Sequence, residues 1–328
     1  MDVKSIINQF AEKRILVVGD VMIDAYMRGE VSRVSPEAPV PIVNLLKTEE
    51  RLGGAANVAL NLLSLGAKPI LCSVVGDGVN GILFRELMIK RGLPLDGIIQ
   101  SDHRKTTVKT RVIGNNQHLL RIDDEEITPL SEQQELEILD KVRRLIGSID
   151  AVILEDYNKG VLTDRVIREV IKIANEYGVL ITVDPKRDNF LSYENATLFK
   201  PNLKELKEGL NVEFDVVSDR DAFENAVALL EEKLQNKISF VTLSEHGVFV
   251  KSSSDKSYIP AHIRTISDVS GAGDTVISVA TLCLAVGLAP HLVAECANLA
   301  GGLVCEVSGV VPINKVQLMH EMQKLIEA

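Results

Sequence analysis

The sequence of 328 residues contains no tryptophan and only four cysteines, and neither cysteine nor histidine recurs at a spacing typical of metal ligands. The cysteines lie singly inside apolar stretches, at Cys72, Cys283, Cys296 and Cys305. This arrangement argues against a zinc site and against a disulfide framework. We therefore expect free, buried thiols in a reducing compartment.

A long apolar run and an excess of positive charge are also missing. The longest apolar run, residues 276–289, is shorter than the ~20 residues that a membrane-spanning helix needs. The N-terminal residues contain no uninterrupted apolar segment typical of a secretion signal, so we expect a cytoplasmic protein. With 36 basic and 46 acidic residues, the net charge of −10 predicts that the protein binds neither nucleic acid nor anionic membranes.

Several common catalytic and nucleotide-binding motifs are absent. Without G-x-x-x-x-G-K-[ST], the chain is not a P-loop nucleotidase. The first predicted strand is followed by GDVMID rather than G-x-G-x-x-G, which disfavours a dinucleotide-binding fold. The G-x-S-x-G elbow of α/β-hydrolases is missing too.

Short apolar runs do alternate with longer amphipathic stretches along the chain. The runs are apolar throughout, as expected for strands covered on both faces, and the alternation is typical of right-handed βαβ units. We therefore predict an α/β fold with a doubly wound, mostly parallel sheet and helices on both faces. The predicted strands are 14–19, 69–76, 151–154, 179–184, 197–200 and 238–243, and the predicted helices are 55–65, 81–91, 131–146, 164–177, 219–234, 272–286, 291–306 and 315–326.

Two segments interrupt this alternation. Residues 31–46 are rich in proline and valine, which indicates extended edge structure. Residues 106–123 alternate polar and apolar around Gly-Asn-Asn, a pattern typical of a β-hairpin. We expect both to be insertions that form a small β lid on a single domain spanning residues 1–328.

The strongest local signal is SDVSGAGDT at residues 267–275, directly before a helical run. Gly271, Ala272 and Gly273 would present free backbone amides and the positive end of the helix dipole to an anion such as phosphate. Asp274 would lie beside that anion and could accept a proton from an attacking hydroxyl. An ordinary capped helix, with Asp274 complementing the dipole, explains the same residues.

A second glycine-rich stretch, residues 52–67, also opens a helix. Gly53, Gly54 and Asn57 could admit a polar ligand, although close packing of small residues on the sheet is the simpler explanation. Asp20 and Asp24 follow the first strand, at the sheet edge where open α/β folds bind ligands. They could contact sugar hydroxyls or cap loops.

Two further groups of polar residues each allow two interpretations. Asn202 and Glu205 share a helix face and could hold water around magnesium, but Asn-x-x-Glu is also a capping box. Lys109, Arg111 and Arg121 alternate on the predicted hairpin, where they could clamp a substrate phosphate or form cross-strand charge pairs.

The two glycine-rich stretches resemble the two signatures of the ribokinase-like sugar kinases, in the order which that family uses. Further segments, namely GDVMIDAYMRGEVSRVSPEAPVPIV, TTVKTRVIGNNQHLLRID, DYNKGVLT, VDPK, KPNLKE and TLSEHGV, are similar to the heptose 7-phosphate kinases of lipopolysaccharide precursor synthesis. The resemblance covers residues 10–315. Many relatives are fused to a nucleotidyltransferase with an H-x-G-H motif, which this sequence lacks, so we expect the stand-alone kinase.

This resemblance implies a ribokinase-like fold with a β lid and phosphoryl transfer from ATP, with magnesium, to O1 of D-glycero-β-D-manno-heptose 7-phosphate in ADP-heptose synthesis. It also implies a homodimer formed through the lid, and it leaves a monovalent-cation requirement open. Asp274 matches the catalytic base and residues 271–273 the anion hole. The remaining matches are Asp24, Gly53, Gly54 and Asn57 for the sugar, Lys109, Arg111 and Arg121 for its phosphate, Asn202 and Glu205 for magnesium through water, and Lys186, Thr242, Ser244, Gly247 and Asn298 for the nucleotide.

Leu243 departs from the basic residue expected in some relatives, which puts one nucleotide contact in doubt. Two other functions stay open from the sequence. A sugar kinase acting on an unphosphorylated sugar would not need the basic lid. A non-catalytic sugar-phosphate or nucleotide sensor would bind ligand without consuming ATP.

Overall fold

Strands and helices alternate through residues 2–253, 255–262 and 264–327, which a computed structural model describes. The strands are β1 (Arg14–Gly19), β2 (Val21–Val34), β3 (Pro41–Gly54), β4 (Lys68–Gly76), β5 (Ile98–Ser101), β6 (Thr107–Gly114), β7 (Gln117–Asp124), β8 (Ala151–Glu155), β9 (Leu180–Asp184), β10 (Leu198–Phe199), β11 (Ile238–Thr242), β12 (Val248–Ser252) and β13 (Asp255–Ile259). The helices are α1 (Val3–Gln9), α2 (Ala55–Ser64), α3 (Val79–Lys90), α4 (Glu132–Leu145), α5 (Asp164–Glu176), α6 (Leu203–Leu210), α7 (Arg220–Leu234), α8 (Ala272–Ala285), α9 (Pro290–Val304) and α10 (Lys315–Glu327).

The main sheet has nine strands in the order β13-β12-β11-β10-β9-β8-β1-β4-β5. From β11 to β5 all neighbours are parallel, and β12 and β13 add an antiparallel edge. The central strand β1 buries both of its faces, since Ile15 and Val17 belong to one hydrophobic cluster and Leu16 and Val18 to the other. This explains why its sequence is apolar throughout.

Helices cover both faces of this sheet. Residues of α2, α8 and α9 fill the first cluster, and residues of α4, α5 and α7 fill the second. Where helices begin, local sequence supports them: Ser131 and Gln134 form a capping box at α4, and Thr163 caps α5. The predicted doubly wound, mostly parallel α/β fold is confirmed.

A separate four-stranded sheet, in the order β3-β2-β6-β7, forms the lid. Its strands β2 and β3 extend beyond the predicted insertion 31–46 on both sides, because β2 begins immediately after the end of β1 and β3 leads directly into α2. The other hairpin lies where it was predicted. Its turn residues Asn115 and Asn116 both have positive φ, at 51° and 63°, as a tight two-residue hairpin turn requires.

The carboxyl ends of the parallel strands bring polar residues to one edge of the main sheet. Gly19, Glu155 and Asp184 are register partners at the ends of β1, β8 and β9. Among the described residues no helix is long and apolar enough to cross a membrane. Cys72, Cys283 and Cys296 are buried free thiols, as predicted, while Cys305 is half-buried.

Candidate active site

Asp274 lies in the first turn of α8, just after the glycine-rich loop. Gly271 precedes the helix with φ +81°, a left-handed conformation that favours glycine. The Asp274 side chain is only 4% exposed and accepts hydrogen bonds from Asn57 Nδ2 at 2.7 Å and the Tyr157 hydroxyl at 2.6 Å. The structure therefore joins the two glycine-rich stretches, which are far apart in sequence, at one carboxylate.

The start of α2 needs its glycines for close approach. A Cβ on Gly53 would lie 2.1 Å from Asp24 Oδ2, and a Cβ on Gly54 would lie 2.5 Å from the Asp20 carbonyl oxygen. Gly54 also has φ +61°. These contacts bring Asp24, Gly53 and Gly54 together where β2 and β3 of the lid meet the start of α2, the helix that carries Asn57.

Buried charges surround Asp274. Lys200 Nζ lies 2.8 Å from Asp184 Oδ2, and both atoms sit behind Gly273, at 3.7 and 3.5 Å from where its Cβ would be. Burial raises the pKa of Asp274, while the hydrogen bonds from Tyr157 and Asn57 partly offset this rise.

Glu155 is a further buried acid at this sheet edge. Its Oε2 has no hydrogen-bond partner among the residues that the structure describes. Burial, together with the neighbouring carboxylates Asp184 and Asp274, raises the pKa of Glu155 well above its usual range.

A cavity of about 430 Å³ borders the N-terminal turn of α8. The residues that line it include Thr242, Ser244 and Gly247 of the predicted nucleotide loop, the predicted nucleotide residue Asn298, and Ala272 and Gly273 of the predicted anion hole, but not Lys186. Leu243 is 2% exposed and belongs to the hydrophobic core. This position therefore packs in the core of this chain and does not offer a side chain to the cavity.

Asn202 and Glu205 form the capping box that the sequence allowed. Asn202 Oδ1 accepts the Glu205 N–H at 2.8 Å, and Glu205 Oε2 accepts the Asn202 N–H at 2.9 Å. The second oxygen, Oε1, accepts from Lys186 Nζ at 2.5 Å. Burial lowers the pKa of Lys186, but Asp184 and Glu205 raise it more, so the net shift is upward. Asn202 also bridges to Thr242 beside the cavity.

The structure corrects the sugar role predicted for Asp20. Its side chain is 1% exposed and accepts the backbone N–H groups of Tyr157, Lys159 and Val161 at 2.9, 3.0 and 2.9 Å. Both carboxylate oxygens are thereby occupied. Asp20 caps the loop that carries Tyr157, which is the alternative the sequence left open.

The basic lid residues already have acidic partners. Lys109 Nζ lies 3.1 Å from Asp123 and 3.0 Å from Glu125, and Arg121 Nε lies 2.9 Å from Asp123. Lys109 thus forms the cross-strand pair that the sequence allowed, with Asp123 of β7, while Arg121 pairs with Asp123 along the same strand, so neither is an open clamp. Arg111 differs, because its guanidinium lies 2.5 Å from Asp24 and so borders the sugar site.

Several site residues escaped the sequence reasoning. Glu155 and Asp184 each end an apolar strand, and that position could have identified them. Tyr157 and Lys200 carry no comparable local signal, because only the tertiary fold brings them to Asp274 and Asp184.

The fold and this site define a sugar kinase of the ribokinase-like type. Residues 12–316 match the model of the pfkB family of carbohydrate kinases, and the chain belongs to that family. It is therefore a carbohydrate kinase, a phosphotransferase.

The chain is similar to the bifunctional protein HldE of Desulfatibacillum aliphaticivorans, with 41% identity over 318 residues. The match covers 97% of this chain and 64% of that protein. The bifunctional protein HldE of Helicobacter pylori strain G27 is 40% identical over 335 residues, covering 96% of this chain and 72% of that protein. The chain thus spans about two thirds of the length of these relatives.

Solved structures show the same fold at low identity. Phosphofructokinase-2 from Escherichia coli in complex with potassium superposes with a TM-score of 0.78 at 18% identity, covering 96% of this chain and 99% of that one. Arabidopsis thaliana ribokinase complexed with ribose and ATP gives a TM-score of 0.71 at 19% identity, covering 94% and 98%.

Proposed function

We propose that this chain transfers the γ-phosphoryl group of ATP to O1 of D-glycero-β-D-manno-heptose 7-phosphate, yielding the 1,7-bisphosphate for ADP-heptose synthesis. The observation that carries the proposal is Asp274, a buried base held by Asn57 and Tyr157 between the lid and the 430 Å³ cavity. The choice of heptose rests on the identity of about 40% to HldE proteins over nearly the whole chain.

In this reaction the sugar O1 attacks the γ-phosphorus while the bond from that phosphorus to the bridging oxygen of ADP breaks. Asp274 accepts the O1 proton, and Tyr157 and Asn57 keep its carboxylate in place for that transfer. The backbone amides of residues 271–273 stabilise the charge on the transferring group. The lid excludes water, which would otherwise compete as the acceptor.

The residues present fit a magnesium ion at this site. Among the described residues no cluster of three or more His, Cys, Asp or Glu side chains could hold a metal alone, but magnesium in kinases is held by one or two carboxylates together with substrate phosphates. Glu205 and Asn202 would hold it through water, because each of their oxygens that already accepts one hydrogen bond has a second lone pair. When bound, the ion neutralises charge on the phosphate oxygens.

We also propose that the chain forms a homodimer through its lid and folds as one domain. Along β2, β6 and β7 most charged residues, among them Asp24, Arg28, Lys109, Arg111 and Arg121, occupy one lid face. The opposite face exposes Met27, Leu120 and Ile122 at 36%, 53% and 51%. Because this apolar face of the lid sheet is exposed, its burial against the lid of a second copy would be favourable.

An ATP-consumption assay tests the function with heptose 7-phosphate, fructose 6-phosphate, ribose and adenosine as acceptors. We expect heptose 7-phosphate to give the highest kcat/KM. A higher value for an unphosphorylated sugar would identify the other kinase function. Ligand binding without ATP turnover would identify the sensor.

A further inference from the structure

The ring of Tyr26 lies among three guanidinium groups. The Cζ atoms of Arg28, Arg51 and Arg111 lie 5.7, 5.1 and 5.2 Å from the ring centroid, within cation–π range. Side chains alternate along β2, so Asp24, Tyr26 and Arg28 share one face of the lid. Arg51 pairs with Asp24 in the register and Arg111 pairs with Tyr26, so all three arginines occupy the face that also carries Asp24.

The three arginines differ in how much hydrogen-bonding capacity they have left. Arg51 donates to Glu49 from Nε and to the Val310 carbonyl from Nη1, and its Nη2 also lies 2.7 Å from Glu49. Arg111 uses Nη1 for Asp24, which leaves its other nitrogens available. Arg28 is half-buried and forms no ion pair with any residue in the described part of the chain. Arg28 is therefore a cation held on an aromatic ring without a carboxylate partner.

The arginine cluster extends along β2 away from Asp24. Residues two apart on one strand face lie roughly 7 Å apart, so Tyr26 and Arg28 lie successively farther from Asp24. A sugar bound beside Asp24 would have this arginine cluster next to it on the same lid face. Guanidinium groups suit phosphate because their planar donors match its oxygens.

We propose that Arg28, together with the free donors of Arg111, recognises the terminal phosphate of the sugar substrate and so determines specificity for phosphorylated sugars. This inference rests on the proposed function and names the residues that select its substrate. Tyr26 and Arg51 act as positioning residues. The Tyr26 hydroxyl accepts the Val310 N–H at 3.3 Å and Arg51 donates to the Val310 carbonyl at 2.9 Å, which ties the ring to the loop that packs on Gly271.

The test compares Arg28→Ala and Arg28→Lys with the wild type on heptose 7-phosphate and on the same heptose without its phosphate. We expect Arg28→Ala to raise KM for the phosphorylated sugar about tenfold or more, because charge-assisted bonds to phosphate are lost. KM for ATP and kcat/KM for the unphosphorylated heptose stay unchanged, and Arg28→Lys recovers part of the loss. The matched control is Arg33→Ala, an exposed arginine of the same strand.

The outcomes separate this inference from the proposed function. If the wild type strongly prefers heptose 7-phosphate and Arg28→Ala keeps that preference, the role of Arg28 is overturned while the proposed function stands. A wild type that prefers a different sugar overturns the heptose assignment, and the phosphorylated and unphosphorylated forms of that sugar then decide the role of Arg28. Equal wild-type kcat/KM for both forms overturns the phosphate role.

Discussion

Asp274 is the residue on which the proposed chemistry depends, and its surroundings allow a substitution that changes only the chemistry. In Asp274→Asn, the new amide would face Asn57 Nδ2, but Asn57 Oδ1 is buried without a hydrogen-bond partner in the described structure. A rotation of the Asn57 amide would then supply the acceptor. We therefore expect this variant to fold normally.

For Asp274→Asn we predict a fall in kcat of ~10² to 10⁴, because the carboxamide cannot accept the O1 proton. The ATP dissociation constant, measured by titration calorimetry, should change less than about threefold, since the nucleotide cavity is lined by other atoms. Retention of more than half of the wild-type kcat would show that another group is the base.

Asp156 gives a prediction about pH at the same scale. It is 1% exposed, and burial together with Asp20 raises its pKa to about 6 from 3.8. A raised pKa in the folded state means that the protonated acid stabilises the fold and that this stabilisation is lost as pH rises from about 4 through 6. Asp156→Asn removes this loss but keeps an acceptor for the Asn158 N–H.

We therefore predict that the free energy of unfolding of Asp156→Asn, relative to that of the wild type, increases by up to about 3 kcal/mol between pH 4 and pH 7.5, so that the variant gains relative stability. Urea denaturation at both pH values measures this difference. A relative stability that does not change with pH would mean that Asp156 has an ordinary pKa in the native state.

Single residues also show where the sequence was informative and where it was not. The two glycine-rich stretches predicted polar residues at two helix starts, and the structure brings Asn57 and Asp274 of these stretches into a direct hydrogen bond. Their roles toward a ligand stay predictions. The roles of Asp20 and Lys109 were ambiguous. The sequence alone does not distinguish a carboxylate or ammonium group that binds a ligand from one that contacts a neighbouring segment of the chain. Only the tertiary contacts of Asp20 with residues 157–161 and of Lys109 with Glu125 decided between those alternatives.

At the scale of elements, the turn from β3 into α2 links the lid to the sugar site. Gly54 has φ +61° and ψ −139°, a conformation open essentially to glycine alone, and the Ala55 N–H that follows donates to the Asp20 carbonyl. Strain at this turn would move the start of α2, and Asn57 with it.

We predict that Gly54→Ala lowers the free energy of unfolding by more than about 2 kcal/mol, since backbone strain adds to the overlap of the new Cβ with the Asp20 oxygen at 2.5 Å. Thermal and urea denaturation measure it. The matched control is Gly92→Ala, where φ is +75° but no atom lies within 4 Å, so only about 1 kcal/mol of strain is expected. Equal losses for the two variants would exclude a steric role for the Asp20 contact.

The central strands of the main sheet were predictable because they are buried on both faces, and side chains cap the first turns of α4, α5 and α7. The partly exposed strands β5, β12 and β13 and the short helices α1 and α6 were not predicted. The strands of the lid were harder to predict. Strands β2 and β3 were predicted too short because their first and last residues, such as Ile23 and Leu52, are buried and resemble core sequence rather than an insertion. No local sequence pattern marks the point between β1 and β2 where the chain leaves the main sheet and enters the lid sheet.

For the whole molecule, the lid has two faces of opposite character. Asp24, Tyr26, Lys109 and Arg111 form the charged face over the active site. The apolar face includes Met27, Leu120 and Ile122, with Met27 opposite Val112 and Leu120 in the register. A lid that works by excluding water needs its strands held in place, and a second copy on the apolar face would provide that support.

We predict that Leu120→Glu combined with Ile122→Lys converts a wild-type dimer to a monomer, because charged side chains on this face oppose its burial. Sedimentation equilibrium measures the mass of each species, and circular dichroism checks that the monomer stays folded. The matched control is Ile89→Glu, an exposed isoleucine on α3, 63% accessible and away from the lid. A wild type that is monomeric at all concentrations, or a double variant that stays dimeric, would show that the apolar lid face does not join two copies.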